Sequence, residues 1–413
     1  IVLSNLINSE SKILFNRNPR ERIAKVAPWL TLDGDPYPAI IDGKILWIID
    51  GYTTSAGYPN SRVVNLANTG DALTSRSNAV SSLDDRNVNY IRNSVKATVD
   101  AYDGTVSLYQ WDEKDPVLAT WSKAFPGTVK PRSEISAELL AHVRYPEDMF
   151  RVQRDILSAY HVTTADAFYG GQDFWRVPLD PSSFGANSGN QPPYYLTMQI
   201  PGQSKPTFSL YTPFVPRGGR ENLTALAVVN SDAGDEYGKI TVLQLPRSTN
   251  IAGPSQVSSN FEAKPEVATS LSLLRQGGSD VVLGNLLTLP VGKGLLYVQP
   301  VYVRATGNTA AYPLLQKVLV SFGDQIGFSE TLQGALDQVF GGNSGTTVSD
   351  NQQSTATPGG VGTSQAIRAA ISSLQAAYAD LEAAQKRLDG AAEDKARARV
   401  KAAIAALISA QNR

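Results

Sequence analysis

The chain contains no cysteine. That excludes a disulfide framework, a cysteine nucleophile and a thiolate metal site. Histidine is nearly as scarce, with only His142 and His161 in 413 residues. Ser-His-Asp hydrolases and most zinc enzymes therefore have little to build on. A surplus of either charge is missing too. Lys plus Arg number 37 and Asp plus Glu 38, a net charge of −1. Nucleic acid is not an expected partner, because phosphate neutralisation needs a local basic excess. No run approaches the roughly 20 apolar residues of a membrane-spanning helix. The best runs, 39–49 and 223–229, are short or carry charge. Signal-peptide, lipidation, phosphate-loop, G-x-S-x-G and H-E-x-x-H patterns are absent, and no cofactor is expected.

What is present is enough for a folded body. Hydrophobic residues make up 42% and charged residues 18%. The length alone allows for two to three domains and at least one large core. Ala39-Ile40-Ile41 and Lys44 to Ile49 flank Asp42-Gly43. Two apolar runs across such a pair predict a hairpin, because Asp and Gly tolerate the positive φ of a type I′ turn. The same logic predicts a second hairpin, Val95–Tyr102 and Thr105–Trp111 about Asp103-Gly104. There Val95, Ala97, Val99 and Ala101 alternate with polar residues, the pattern of a sheet with one buried and one wet face. Further strands are predicted at 194–200, 207–211, 223–230, 239–245, 281–289, 294–303 and 318–322.

Start and stop signals place helices at 133–143, 146–160, 265–276 and 329–340. Pro146 suits a first helical position, Glu147 and Asp148 suit the positive dipole end, and Gly341-Gly342 is a stop. Helices and strands alternate without a βαβ rhythm. The fold class is therefore α+β: mixed, largely antiparallel sheets built from hairpins with interspersed helices. Composition shifts after Phe340. Residues 1–340 form the expected α+β body, in one piece or two subdomains, and 341–362, rich in Gly, Ser and Thr, read as a flexible linker. In 363–413, Ile367, Ile371, Leu374, Tyr378, Leu381 and Leu388 recur at helical spacing, broken by Asp389-Gly390 and resumed at Val400, Ile404 and Leu407. This predicts a C-terminal α-helical hairpin, which buries little alone and either docks on the body or supports a homo-oligomer.

Candidate sites are few, and each has a plain structural alternative. Asp33 and Asp35, near Asp42 and Asp50, are oxygen ligands of the type that hold Ca²⁺, though their spacing is not that of an EF-hand and Asp and Gly also make turns. Asp50, Tyr52 and Thr53 follow an apolar strand, where polar and aromatic groups can line a ligand cleft or simply tie down a loop. Asp173 and Trp175 lie in an aromatic-rich stretch that suits a glycan or lipid groove, or a core. Arg144 precedes a helix start but competes there with Glu147 and Asp148. No catalytic residue is identified.

Several stretches taken together resemble one family. They are Lys12 to Arg22, Val26-Ala27-Pro28-Trp29-Leu30, Asp35-Pro36-Tyr37-Pro38, Trp47 to Thr54, Asn89 to Lys96 and Val99 to Gly104. Arg144 to Asp148, Tyr160-His161-Val162-Thr163, Asp173-Phe174-Trp175 and Leu295 to Tyr302 complete the set. Over roughly residues 3–340 the chain is similar to the C-terminal soluble region of UPF0182 proteins, uncharacterised multi-pass membrane proteins of actinobacteria. The resemblance implies an extracytoplasmic domain on the cell membrane of the envelope, joined to transmembrane helices by a segment preceding Ile1. The opening Ile1, rather than Met, fits that expectation. The family brings no established activity and no site residues. The leading expectation is a non-enzymatic role, binding an envelope lipid, a glycan or a protein partner, or serving assembly. The alternative is an envelope hydrolase using the carboxylates of Asp33, Asp35 or Asp50 beside Tyr52.

Overall fold

The computed structural model describes residues 15–69, 86–183, 189–246, 248, 250–276, 278–306, 312–342 and 395–402. The chain divides into two compact units, Ile1–Thr346 and Thr347–Arg413. In the second unit, 395–402 is helical; the rest of the expected tail hairpin, and the 341–362 linker beyond 342, lie outside the described residues.

The first unit opens with α1 (Pro19–Val26), capped by the Asn18 side chain on the Arg20 N–H. β1 (Thr31–Leu32), β2 (Tyr37–Ile41) and β3 (Lys44–Ser55) follow. The predicted first hairpin is there: Ile41 pairs with Lys44, and Asp42 and Gly43 take φ of 51° and 74°. β4 (Val64–Asn65), α2 (Leu66–Thr69) and β5 (Asn87–Val88) form a side ribbon before β6 (Tyr90–Asp100) and β7 (Val106–Gln110). α3 (Pro116–Ala124) and β8 (Val129–Lys130) complete a sheet ordered β1-β3-β6-β7-β8, with β2 also on β3. All its pairs are antiparallel except β7 with β8.

The connection of the second hairpin is longer than expected. It runs 101–105, with the Asp100 carboxylate accepting the N–H groups of Tyr102 and Asp103. The expectation of a wet face on β6 also fails. Val95, Ala97 and Val99 pack with Ile23 of α1, Ala27 at its C-cap and Leu118 of α3, but Ser94, Lys96 and Thr98 on the polar side are buried as well. Other elements cover that side, so alternation here separates an apolar interior from a polar one.

Next come α4 (Ala137–His142), α5 (Glu147–Tyr160) and α6 (Ala165–Tyr169). Ser136, rather than Ser133, caps α4 by accepting the Leu139 N–H. β9 (Trp175–Arg176), β10 (Tyr194–Met198), β11 (Thr207–Pro216), β12 (Ala225–Asn230) and β13 (Ile240–Gln244) make a second antiparallel sheet. Its residues alternate between two cores. Leu210, Phe214, Ala225, Ala227 and Val229 meet α5 and Tyr52. Tyr211, Leu226 and Val228 meet α7 (Pro254–Ala263), α8 (Pro265–Leu274) and a third sheet. That sheet comprises β14 (Ser279–Leu283), β15 (Leu287–Val291), β16 (Gly294–Ala305), β17 (Leu314–Phe322) and β18 (Gln325–Ser329). α9 (Leu332–Phe340) covers its far face through Ala335, Leu336 and Val339 and ends at Gly341, φ 78°. The architecture is α+β with mostly antiparallel sheets. Among the described residues, no helix is long and apolar enough to cross a membrane.

Candidate anion-binding cleft

The residues singled out in 33–53 converge on a buried charge network between the first sheet, the start of α5 and the second sheet. Asp50 on β3 lies directly opposite Lys96 on β6, and the two form an ion pair. The Lys96 ammonium has three N–H donors. It uses them on Asp50, on the Arg144 carbonyl (2.9 Å) and on the Tyr237 hydroxyl (2.9 Å). Tyr52 lies two residues beyond Asp50 and so on the same face of β3, where its hydroxyl donates to Asp33. Asp33 also accepts the Asp35 N–H at 2.8 Å and the Asp148 N–H at 3.4 Å, while Asp148 accepts the Gly34 N–H at 2.8 Å.

Burial sets the electrostatics. Asp33 and Asp50 are each 3% exposed. Burial, with Asp148 and Asp50 adding like charge, pushes the Asp33 carboxyl well above its ordinary range. Burial raises Asp148 too, and pulls the Lys96 ammonium down against the attraction of Asp50. Asp35 stands at the margin, paired to Arg144 at 2.6 Å; the Arg144 guanidinium lies 3.9 Å from the Tyr37 ring centroid and 4.7 Å from that of Tyr195. Among the described residues, no group of three or more His, Asp or Glu side chains is placed to hold a metal ion.

Thr53 belongs to a different cluster. Its hydroxyl, with those of Ser94 (2.6 Å) and Tyr90 (2.6 Å), donates to Asp115, the N-cap of α3, which also accepts the Val117 and Leu118 N–H groups. Burial pushes Asp115 up, but these hydrogen bonds outweigh it and hold the carboxyl below its ordinary value. This is a capping site with every near donor satisfied.

Asp173 and Trp175 lie beside the open chemistry. The Trp175 ring stacks on His161, with centroids 3.4 Å apart, and the His161 ring nitrogens face the carbonyls of Leu157 and Asp173 at 2.8 and 3.0 Å. Trp175 forms part of the wall of a cleft of about 580 Å³. Five arginines line it: Arg62, Arg151, Arg154, Arg176 and Arg217, with Asp155 and Glu221 as the lining acids. Arg151 pairs with Glu147 at 2.5 Å, and Arg176 pairs with Glu221. Counting Glu147, cations still outnumber anions five to three. Arg151 and Arg154 are buried in the wall, Arg154 donating to the Gln191 carbonyl at 2.9 Å, whereas Arg62 and Arg217 are exposed. A concave site with fixed guanidinium groups suits phosphate or carboxylate, which Arg meets in bidentate geometry.

Sequence reading missed all five arginines. A signal did exist on α5. Arg151, Arg154, Asp155 and Ser158 fall at helical spacing, beside the apolar positions that drew attention to the helix. Arg176 directly follows Trp175. Arg62 and Arg217 carry no local signal.

Comparison with known proteins follows from the whole chain rather than from the cleft. The model of an uncharacterised protein family, UPF0182, matches residues 1–274. A UPF0182 protein of Leifsonia xyli is 48% identical over 460 residues, covering 100% of this chain and 46% of the relative. One of Thermobifida fusca is 56% identical, covering 83% of the chain and 34% of the relative. One of Streptomyces coelicolor is 50% identical, covering 94% and 39%. The chain thus spans less than half the length of these relatives. No solved structure matches.

Proposed function

Because the chain belongs to the UPF0182 family, we propose that it is the extracytoplasmic part of a multi-pass envelope membrane protein, and that it binds an anionic envelope ligand without turning it over. The observation that carries the binding is the five-arginine cleft of about 580 Å³. The relatives' greater length leaves room for membrane-spanning segments outside the region matched here. Of the carboxylates on which a hydrolase reading rests, Asp33 and Asp50, each 3% exposed, are spent on the interior network, and Asp35 at its margin is paired to Arg144. An assembly role, with the 363–413 segment joining copies of the chain, stands beside the binding reading. Its test is the native mass of the chain with and without those residues.

The binding test is calorimetric titration with pyrophosphate at low ionic strength. Arg62 and Arg217 are exposed, so Arg62→Ala with Arg217→Ala leaves the fold intact while removing two guanidinium groups. Each charge-assisted hydrogen bond contributes about 1.5–3 kcal/mol, so the double variant loses at least about tenfold in affinity. Equal affinity in variant and parent, or no binding by the parent, refutes the assignment. Sedimentation with membranes of cells expressing a full-length relative, and protease access from outside, test the location.

A further inference from the structure

A second hollow, of about 360 Å³, adjoins the cleft, and Glu221 lines both. Its chemistry is different. It is lined by Asn250, Ser255, Gln256, Ser259 and Asn260, amides and hydroxyls, with no lysine, arginine or aromatic ring. Such groups both donate and accept, the match for vicinal hydroxyls rather than for an anion. They come largely from one face of α7, since Ser255, Gln256, Ser259 and Asn260 share a stripe while Val257, Ser258 and Phe261 are buried.

The two hollows are held in register. The Gly253 N–H donates to the Glu221 carbonyl at 2.9 Å, and a Cβ at Gly253 would overlap that carbonyl, so the start of α7 approaches Glu221 as only glycine allows. Glu221 uses one carboxylate oxygen on Arg176. Its other oxygen, Oε2, and the Ser255 hydroxyl are buried without a hydrogen-bond partner among the described residues. Both atoms are closed to solvent, so what a ligand seated in the hollow meets is the exposed side chains of Gln256, Ser259 and Asn260.

We propose that the ligand is a phosphorylated sugar or polyol, its phosphate on the arginine side and its hydroxyls on the exposed amides and hydroxyls of the α7 stripe. This rests on the reading of the cleft as an anion site. It is tested on the 413-residue chain by titration with inorganic phosphate, glucose 1-phosphate and inositol 1-phosphate. At least one ester binds tenfold or more tightly than inorganic phosphate. Ser259→Ala with Asn260→Ala, both exposed positions, cancels that advantage and leaves inorganic phosphate affinity unchanged, with thermal melting confirming the fold. Arg217→Ala weakens phosphate and ester alike. Esters no tighter than phosphate, or an advantage that survives the α7 variant, overturn this proposal while the anion site stands. Failure of phosphate and esters alike overturns both. Vesicles of phosphatidylcholine with phosphatidylinositol distinguish the source. Sedimentation of the chain with them, reversed by the ester, assigns a lipid headgroup, and ester binding without sedimentation assigns a soluble sugar phosphate.

Discussion

Replacing Lys96 with Met tests how the first and second sheets are held together. The side chains are similar in length, so the change removes charge and three hydrogen bonds with little change in volume. Lys96 spends those donors on Asp50 from β3, Arg144 from the segment before α5, and Tyr237 from the loop between β12 and β13. Its ammonium also lies 5.1 Å from the Trp111 ring centroid and 5.3 Å from that of Tyr237. Without it, Asp50 remains at 3% exposure with its cation gone. Breaking one partner of a buried pair costs about 3–5 kcal/mol, most of it the stranded charge. Asp50→Asn in the same background removes that charge, so the double variant is more stable than the sum of the singles by about 2 kcal/mol or more. Equilibrium urea unfolding, followed by tryptophan fluorescence, measures the cycle, and Trp111 reports directly on the site. A loss below about 1 kcal/mol for Lys96→Met, or strict additivity with Asp50→Asn, refutes the reasoning.

Other outcomes follow from the same geometry. Asp33 keeps its proton in the fold where the unfolded chain has lost it, so above about pH 4 the native state binds more protons and stability falls as pH rises. Asp115, held below its ordinary value, has the opposite sign, and its contribution is lost below about pH 4. Melting temperature therefore peaks in mild acid, and Asp33→Asn shrinks the decline toward neutrality, the part due to the raised Asp148 carboxyl remaining; a parent more stable at pH 7 than at pH 5 contradicts this. Gly327→Ala on β18 places a Cβ into the Ala335 carbonyl of α9, which costs about 1–3 kcal/mol and speeds hydrogen exchange in α9. Exchange at the parent rate would show that the helix does not rest there.

Local chemistry was legible in the sequence, and covering was not. The Asp42-Gly43 turn and the Gly341 stop depend on a few adjacent residues, and both are where the pattern places them. The expected strand 281–289 is instead two strands, β14 and β15, separated at Gly284. A Cβ there would come within 2.6 Å of the Pro300 ring on β16, a constraint imposed by a distant residue. The helix expected from Ser329 starts at Leu332 because Thr331 is the residue whose hydroxyl reaches the Gly334 N–H. Lys96 sits in an alternating strand that reads as half wet, because alternation records which face is polar and says nothing of what packs over it. The cleft was the least legible part. Its arginines come from 62, from α5, from β9 and from 217, and only the tertiary fold makes them neighbours.

The Lys96 joint also constrains how such a chain can diverge. Each of its members answers a specific neighbour: an ammonium against a carboxylate, a hydroxyl against an ammonium, a carboxyl group against a phenol. A single replacement at Asp50 or Lys96 passes through a protein with an orphaned interior charge, whereas a paired replacement does not. Lineages that alter the exposed rim at Arg62 or Arg217 can do so one step at a time, and so can retune what they hold. The joint beneath changes only by coordinated substitution, and relatives with quite different ligands are expected to share it.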